Sequence, residues 1–329
     1  MVSCALGVLR ATGFPRDMML TAAALPPAVG ERMSVSRRAF WFVAFSCACY
    51  GQAAGPPQHA ESLKGVLERA AKGDVRAECE LGRMYRDGQG VRQDYAEAVR
   101  WFRKAADQGY ADAENDLGFL YDNGQGVAED HAEAARWYRK AAGQGNPDAE
   151  FNLGSLYDTG QGVPQDHAEA VRWYRKAAGH GDADAQFDLG VMYEQGQGVA
   201  RDYAEAARWY RKAADQGIAV AQAALATLYT NGRGVPRDLS EAVGWYRKAA
   251  EQGFAPALHD LGAAYADGRG VPQDYMAAHV WMDLAASRAR GPLRDQYSAE
   301  RDAIARKMTP EQVAEARRQA AERKTRWAR

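Results

Sequence analysis

Leucine, tyrosine and tryptophan recur along this chain at a constant spacing of 36 residues, each in six consecutive copies. The leucines are Leu81, Leu117, Leu153, Leu189, Leu225 and Leu261. The tyrosines are Tyr85, Tyr121, Tyr157, Tyr193, Tyr229 and Tyr265, and the tryptophans are Trp101, Trp137, Trp173, Trp209, Trp245 and Trp281. Such a period is typical of stacked copies of one supersecondary unit, so it predicts a single array rather than two unrelated domains.

The first half of each repeat predicts a helix, which we name helix A. In the first repeat, Ala77, Leu81 and Tyr85 lie four residues apart and form the apolar stripe of an amphipathic helix over about 75–87. Gly88 follows at the position where a left-handed residue ends a helix. Helix A is therefore predicted to be one arm of a helical hairpin.

The second half predicts a partner, helix B. Asp94 is a good N-cap, and Glu97 lies three residues later, where a carboxylate favours the exposed N–H groups and the helix dipole. The helix runs over about 95–107 and is expected to bury Ala98, Trp101, Phe102 and Ala105. One hairpin cannot bury two apolar faces alone, so the predicted fold is an all-α, right-handed α/α solenoid of six helix-turn-helix repeats.

The predicted organisation has four segments. They are an N-terminal extension with a signal peptide (1–53), a linker and N-terminal cap helix that completes a half-repeat (54–74), six repeats (75–290) and a basic C-terminal helical cap or tail (291–329). In the last segment, Thr309 and Gln312 form a capping-box pattern with Pro310 at the first helical position. This pattern predicts a terminal helix that ends near residue 325.

The N-terminal extension has the pattern of a secretion signal. From Met33 it shows a basic start at Arg37 and Arg38, an apolar run over 39–50 and small residues up to Ala53. The apolar run is too short for a permanent membrane helix. We expect translation to start at Met33 and cleavage to occur near Ala53, with the general and the twin-arginine export routes both open.

Charge and cysteine content narrow the function classes. The 42 basic and 43 acidic side chains nearly cancel, so bulk attraction of nucleic acid is not expected. Cleavage near Ala53 leaves Cys79 as the only cysteine, and packing rather than an intramolecular disulfide must then stabilise the fold. Lipid attachment at Cys47 or Cys49 is an alternative that the flanking residues fit poorly.

The repeat unit A-x-x-x-L-G-x-x-Y-x-x-G-x-G-V-x-x-D-x-x-x-A-x-x-W-Y-x-K-A-A-x-x-G resembles the Sel-one-like repeat (SLR), a relative of the tetratricopeptide repeat, over residues 73–290. The departures are local: Ala226 replaces the glycine after leucine, and Gly244 and Val280 replace the arginine before tryptophan. The resemblance implies an α/α adaptor that binds proteins. Exported bacterial members imply a role in envelope or signalling assemblies or in contacts with host cells.

No catalytic or metal-binding motif stands out in the sequence. Gly88-x-Gly90 and its copies follow a helix, whereas a nucleotide fingerprint requires a preceding strand. His131 and His167 share a helix-start position with Tyr95, so metal ligation is not indicated. We therefore predict no enzyme activity, no cofactor and no metal site. A periplasmic enzyme that acts on the cell wall, or an accessory of such an enzyme, is the alternative.

Variable positions of helix A predict where a partner would bind. Side chains two residues from the apolar stripe lie about 200° around the helix, and helix A is expected to line the concave wall of a stacked array. The carboxylates on this wall are Asp112, Asp148, Asp184, Asp122, Asp158 and Glu194. Between them lie Phe119, Phe151 and Phe187, which either meet the partner or pack against neighbouring repeats.

The sequence therefore predicts a non-enzymatic scaffold or adaptor of the cell envelope that binds a basic, partly apolar protein segment in the helix-A groove. No nucleic acid partner and no membrane span after processing are expected. A periplasmic location is predicted, with a secreted host-interaction factor as the alternative. Residues 288–329 carry twelve basic and six acidic side chains, so the tail either binds an acidic partner or folds back on the repeats.

Overall fold

A computed structural model describes residues 63–327 of the chain. The predicted signal peptide, with its start at Met33 and cleavage near Ala53, lies outside the described residues. The first part of the predicted N-terminal cap, 54–62, lies outside them as well.

Within 63–327 every regular element is an α-helix, which confirms the predicted all-α repeat fold. The helices are α1 (Leu63–Ala71), α2 (Val75–Asp87), α3 (Tyr95–Ala106), α4 (Ala111–Asp122), α5 (His131–Gly143), α6 (Pro147–Thr159), α7 (His167–Gly179), α8 (Ala183–Gln195), α9 (Tyr203–Asp215), α10 (Ala219–Asn231), α11 (Leu239–Glu251), α12 (Ala255–Asp267), α13 (Tyr275–Arg288), α14 (Gly291–Ala305) and α15 (Pro310–Trp327). Even-numbered helices from α2 to α12 are helices A, and odd-numbered helices from α3 to α13 are helices B.

The described residues form two compact units. The N-terminal unit contains 63–188 and 197–200, and the C-terminal unit contains 189–196 and 201–327. In each unit, helices that are adjacent in sequence pack on each other: α2 packs on α3 and α4 on α5 in the first, and α10 on α11 and α12 on α13 in the second.

The starts of helix B agree with the predicted caps. The Asp94 side chain accepts hydrogen bonds from the backbone N–H groups of Ala96 and Glu97, at 3.0 and 3.1 Å. Glu97 does not complete a reciprocal capping box. Its carboxylate pairs with Arg100 at 2.8 Å, and the N–H of Asp94 donates to the carbonyl of Tyr85 at 2.9 Å. The turn is therefore tied to the end of helix A by its backbone.

The two glycines of each turn have different physical roles. The first ends helix A in the left-handed region, as Gly88 does with φ 70°. From the second repeat onward, the second lies against the preceding repeat: a Cβ on Gly162, at φ +67°, would stand 2.2 Å from the carbonyl carbon of His131. Only glycine accommodates both the left-handed backbone and this close approach. The turn of one repeat thus rests on the start of helix B of the repeat before it.

Helix A and helix B of one repeat meet at a third glycine. A Cβ on Gly82 would lie 2.5 Å from Cδ1 of the Phe102 ring, and one on Gly154 would lie 2.8 Å from Cδ1 of the Tyr174 ring. The glycine after leucine therefore provides the space into which the aromatic ring of helix B packs. Phe102 and Leu81 are fully buried as a result.

Buried polar residues, which were not predicted, join the start of helix A to the end of helix B. The Glu78 side chain is fully buried; its Oε2 accepts from Gln108 Nε2 at 2.6 Å, and its Oε1 forms an ion pair with Lys104 Nζ at 2.7 Å. In the C-terminal unit, Gln222 and Gln252 make the equivalent contact at 2.9 Å. Buried polar groups are stable only when they are hydrogen-bonded, so this contact fixes the pairing of the two helices.

The tryptophans are less buried than predicted. Trp137, Trp245 and Trp281 are in the core, but Trp101, Trp173 and Trp209 are half-buried. The lysine three residues later covers the ring, as Lys176 does over Trp173 at 3.8 Å from the ring centroid. This i, i+3 arrangement places a cation on an aromatic face at the surface of helix B.

The C-terminal segment folds back on the last repeat, one of the two alternatives left open by the sequence. Helix α14 was not predicted, yet it begins 36 residues after α12, in the position of a seventh helix A. Both α14 and α15 pack on α13. The predicted capping box is present, because the Thr309 N–H donates to Gln312 Oε1 at 2.9 Å and the Gln312 N–H donates to Thr309 Oγ1 at 3.3 Å.

Candidate functional site

The helix-A positions of the N-terminal unit bring a set of carboxylates together. We name this set the acidic face: Asp112, Asp116, Asp148, Asp182, Asp184 and Asp188. They come from the first turns and middles of α4, α6 and α8, with Asp182 just before α8. Three of the six are predicted site residues, and three were missed.

Arginines of the first repeat neutralise one end of the acidic face. Asp116 accepts from Arg83 Nε at 2.8 Å and from Arg86 Nη1 at 3.0 Å. Asp112 lies 3.5 Å from Arg83 Nη2 and accepts from Asn146 Nδ2 at 3.0 Å. The predicted site residue Asp112 is therefore engaged inside the fold, on the side of the face nearest the first repeat.

The other end of the acidic face has an excess of negative charge. Asp148 is exposed, and its pKa is raised by desolvation and by the carboxylates of Asp116 and Asp112, against the lowering effect of Arg83. The pKa of Asp182 is raised chiefly by burial, and Asp148 and Asp188 raise it further. Desolvation is the larger cause of both shifts and repulsion by neighbouring carboxylates adds to it, so a cation would be favoured at this position.

The three predicted phenylalanines are half-buried. Phe119 packs against a core cluster that contains Phe102 and Leu120. The Phe151 ring lies with its centroid 5.6 Å from that of Tyr174, tilted by 35°. Each ring thus packs partly in the fold and leaves part of its surface open, while its contact with a partner stays a prediction.

Two predicted carboxylates do not line an open surface. Asp122 is 3% exposed and lies 2.7 Å from His131 Nδ1, and Asp158 is 7% exposed and lies 3.0 Å from His167 Nδ1. The interpretation of these two residues as groove residues was wrong. They lie near the C-terminal ends of α4 and α6, where the start of the following helix B covers them.

Glu194, the last predicted carboxylate, belongs to the C-terminal unit. Its Oε2 accepts from the Tyr210 hydroxyl at 2.7 Å, and its side chain is half-buried. This contact joins the end of α8 to α9 and engages the carboxylate within its own repeat.

Asp116, Asp182 and Asp188 were missed although the sequence contains a signal for them. Asp116 and Asp188 occupy the same repeat position, which lies next to the repeated leucine and holds a carboxylate in four of the six repeats. The prediction considered only positions 76, 79, 83 and 86 of the first repeat and their copies. Asp182 was missed because the residue before helix A is read as a cap; it does cap α8, accepting from the N–H of Ala185 at 2.6 Å.

A reactive cysteine and a metal centre are two other kinds of functional site. Cys79 is 2% exposed, and burial raises its pKa to about 12, so its thiol is protonated at neutral pH. Within residues 63–327, no group of three or more His, Cys, Asp or Glu side chains is arranged to hold a metal ion. In the same range no helix has the length and apolar character needed to cross a membrane.

Comparisons with known proteins agree with the repeat geometry. The Sel1 repeat family model matches six times, at residues 75–110, 111–146, 147–182, 183–218, 219–254 and 255–289. The comparison with curated proteins gives no match.

Two solved structures share both sequence and fold with the chain. One is a protective antigen of uropathogenic Escherichia coli strains that displays an SLR fold, with 38% identity and a TM-score of 0.71 over 80% of this chain. The match spans only 56% of the length of that antigen. The other is a Sel1 repeat protein from Oxalobacter formigenes, with 37% identity, a TM-score of 0.63, and coverage of 77% of this chain and 99% of that one. The chain belongs to the Sel1 repeat family, whose repeats typically mediate protein–protein interactions.

Proposed function

We propose that this chain is a non-enzymatic scaffold of the cell envelope that binds a basic, partly apolar segment of another protein. The binding surface is the acidic face of the N-terminal unit together with Phe119, Phe151 and Phe187. The observation that carries the proposal is the exposed Asp148, whose pKa is raised by desolvation and by the nearby carboxylates of Asp116 and Asp112.

The charge arrangement supports a basic partner. Arg83 and Arg86 neutralise Asp116 and part of the charge of Asp112, while Asp148 stays exposed among carboxylates that raise its pKa. A lysine or arginine from a partner would remove this repulsion and would add attraction at the same time. The arginines also give the surface a direction, because the basic partner is favoured away from the first repeat.

The half-buried rings support a partner with an apolar component. Phe151 and Phe187 occupy the same helix-A position in successive repeats, and Phe119 lies one turn further along its own helix. Aromatic residues held in place by a core are common at binding surfaces, because they bury large area with little loss of side-chain entropy. A segment with alternating basic and apolar residues would satisfy both features.

The envelope location rests on the N-terminal extension, whose pattern from Met33 to Ala53 is that of an export signal. Fractionation of cells that express the full chain tests it. Recovery of the processed protein in the periplasm supports the envelope assignment, recovery in the culture medium supports a secreted protein, and unprocessed protein in the cytoplasm contradicts both.

A binding experiment tests the partner chemistry. The probes are a fluorescent helical peptide of alternating Lys-rich and Leu-rich turns and a matched peptide in which Glu replaces each Lys. We expect the full chain to bind the Lys peptide only, and Asp148→Asn with Asp184→Asn to weaken binding about tenfold, the effect of losing roughly 1.4 kcal/mol.

The control for this experiment is Asp215→Asn, which removes a carboxylate at the exposed end of α9. It should leave the affinity unchanged. Equal binding of the two peptides, or an equal loss of affinity with the control variant, would show that general charge rather than the acidic face attracts the peptide.

A further inference from the structure

A histidine occupies a core position of the last repeat. His279 in α13 is fully buried, at the position where the other helices B place small apolar residues. Those residues are Val99, Ala135, Val171, Ala207 and Val243. Among the described residues 63–327, neither ring nitrogen of His279 has a hydrogen-bond partner. The last repeat packs on α14 and α15, and it is the repeat in which this core position holds a titratable side chain, the His279 imidazole.

The charges that surround His279 also hold the C-terminal helices. Asp283 lies one turn further along α13; its Oδ1 pairs with Arg301 of α14 at 3.0 Å and its Oδ2 with Lys324 of α15 at 2.7 Å. Asp302 of α14 and Arg317 of α15 act on the imidazole from the two packed helices. Asp283 is therefore the carboxylate that connects α13 to both helices.

We propose that protonation of His279 releases helix α15 from the last repeat, so that α15 is an acid-sensitive latch. A buried imidazolium requires an acceptor, and Asp283 is the carboxylate one turn away on the same helix. When Asp283 turns toward His279, it gives up Lys324, its contact to α15. Arg301 keeps a second partner on α14, because Asp302 lies 2.8 Å from its Nη2.

The direction of the pH effect follows from burial. Desolvation lowers the pKa of His279 from its ordinary value of 6.5, and Arg301 and Arg317 lower it further, against Asp283 and Asp302. The unfolded segment therefore binds the proton more readily than the folded one. The stability that the neutral ring provides is complete above pH 6.5 and is lost as the pH falls below that value.

A second histidine has the opposite effect on α14. His259 of α12 stacks on Tyr297 with 4.6 Å between ring centroids, and its Nε2 lies 2.7 Å from Glu300 Oε2. Burial lowers the pKa of His259, but Asp260 and Glu300 outweigh it and the net shift is upward. Protonated His259 therefore stabilises the attachment of α14 at low pH, and this contribution is lost as the pH rises. Acid should release α15 while α14 stays attached.

Hydrogen–deuterium exchange of the full chain tests this prediction at about pH 7.5 and about pH 5.5, on either side of the usual histidine range, with rates corrected for intrinsic exchange. In the unmodified chain we expect protection of α15 amides to fall about tenfold at the lower pH, which lies about one unit below the ordinary histidine pKa of 6.5. Protection of α14 should change less.

The variant His279→Val, which installs the residue found in the first repeat, should keep α15 protected at both pH values. A second variant, His279→Gln, removes the titration while keeping a polar side chain, and should also abolish the pH response. The control variant His131→Tyr introduces, at a histidine of the N-terminal unit, the residue that Tyr95 provides in the first repeat. The pH response of α15 should be retained in this variant. Equal protection of α15 at both pH values in the unmodified chain would overturn the proposal, as would an undiminished pH response in both His279 variants.

Discussion

The contacts that hold the repeats together and the acidic face use residues from the same helices. Close packing dominates the contacts, whereas carboxylates repel one another on the acidic face. Within and between repeats, glycine, aromatic and polar side chains fit one another closely, as at Glu78 against Gln108 within the first repeat and at Gly162 against His131 between repeats. On the acidic face, burial and the neighbouring carboxylates of Asp148 and Asp188 raise the pKa of Asp182, and the phenylalanines are only half-buried.

This difference separates what the repeat needs in order to fold from what it presents to a partner. Residues that recur in each repeat are engaged inside the hairpin or against the next one. Some residues that vary along helix A, such as Asp148 and Phe151, keep charge or aromatic surface that the fold covers only in part. The comparison predicts that substitutions between repeats weaken folding and that substitutions on the acidic face weaken binding while folding is preserved.

The largest effect is expected at the second glycine of a turn. Gly162→Ala combines a left-handed backbone with a clash against His131, whereas Gly145→Ala has a left-handed backbone but no heavy atom within 4 Å of the added Cβ in the described structure. We expect Gly145→Ala to lower the free energy of unfolding by about 1 kcal/mol and Gly162→Ala to lower it by roughly 3 kcal/mol. Urea unfolding followed by circular dichroism measures both, and equal losses would show that the contact between repeats is not restrictive.

A smaller effect is expected at the buried polar contact within the first repeat. Glu78→Ala leaves Gln108 without its carboxylate partner and creates a cavity, and should lower the free energy of unfolding by about 2 kcal/mol. Glu78→Gln should lower it by less than about 1 kcal/mol, because glutamine occupies this position in the fourth and fifth repeats and Gln222 bonds to Gln252 there. A loss with glutamine as large as that with alanine would mean that the charge paired with Lys104, rather than the hydrogen bond to Gln108, holds the two helices.

The smallest effect on stability, and one of opposite sign, is expected at Asp148. Its pKa is raised from the ordinary value of 3.8, so the ionised carboxylate destabilises the folded chain at neutral pH. Asp148→Asn should therefore increase the free energy of unfolding by less than about 0.5 kcal/mol and raise the melting temperature slightly. The gain should shrink as the pH falls through the folded-state pKa, because the unmodified carboxyl is then neutral as well.

The control for this measurement is Asp215→Asn, which should leave the melting temperature unchanged both at neutral pH and at the lower pH. A melting temperature that falls in Asp148→Asn would show that Asp148 stabilises the fold instead of opposing it.

The hairpins were predictable because their signals are local and repeated six times. Helix A of the first repeat has the predicted bounds, and helix B ends at Ala106, one residue earlier than predicted. Helix α14 was not predicted because the leucine and glycine of the repeat are replaced there by Tyr297 and Ser298, and only the 36-residue spacing would have located it.

The acidic face was predicted only in part, because side chains near the end of helix A depend on the next helix for their surroundings. Asp122 and Asp158 were predicted to lie on the outside of helix A, yet His131 and His167 cover them. Contacts such as Arg83 with Asp116 join neighbouring repeats across 33 residues of sequence. Periodicity gives the helices, but not which charged side chains of adjacent repeats meet.

The central claim is that the acidic face binds a basic segment, and zero-length cross-linking tests it most directly. A carbodiimide joins a lysine amine to a carboxylate in direct contact, so the Lys peptide added to the full chain would mark the carboxylates that it touches. We predict cross-links at Asp148 and Asp184, identified by mass spectrometry, and none at the buried Asp122. Cross-links confined to exposed carboxylates of helix B, such as Asp215, would contradict the account.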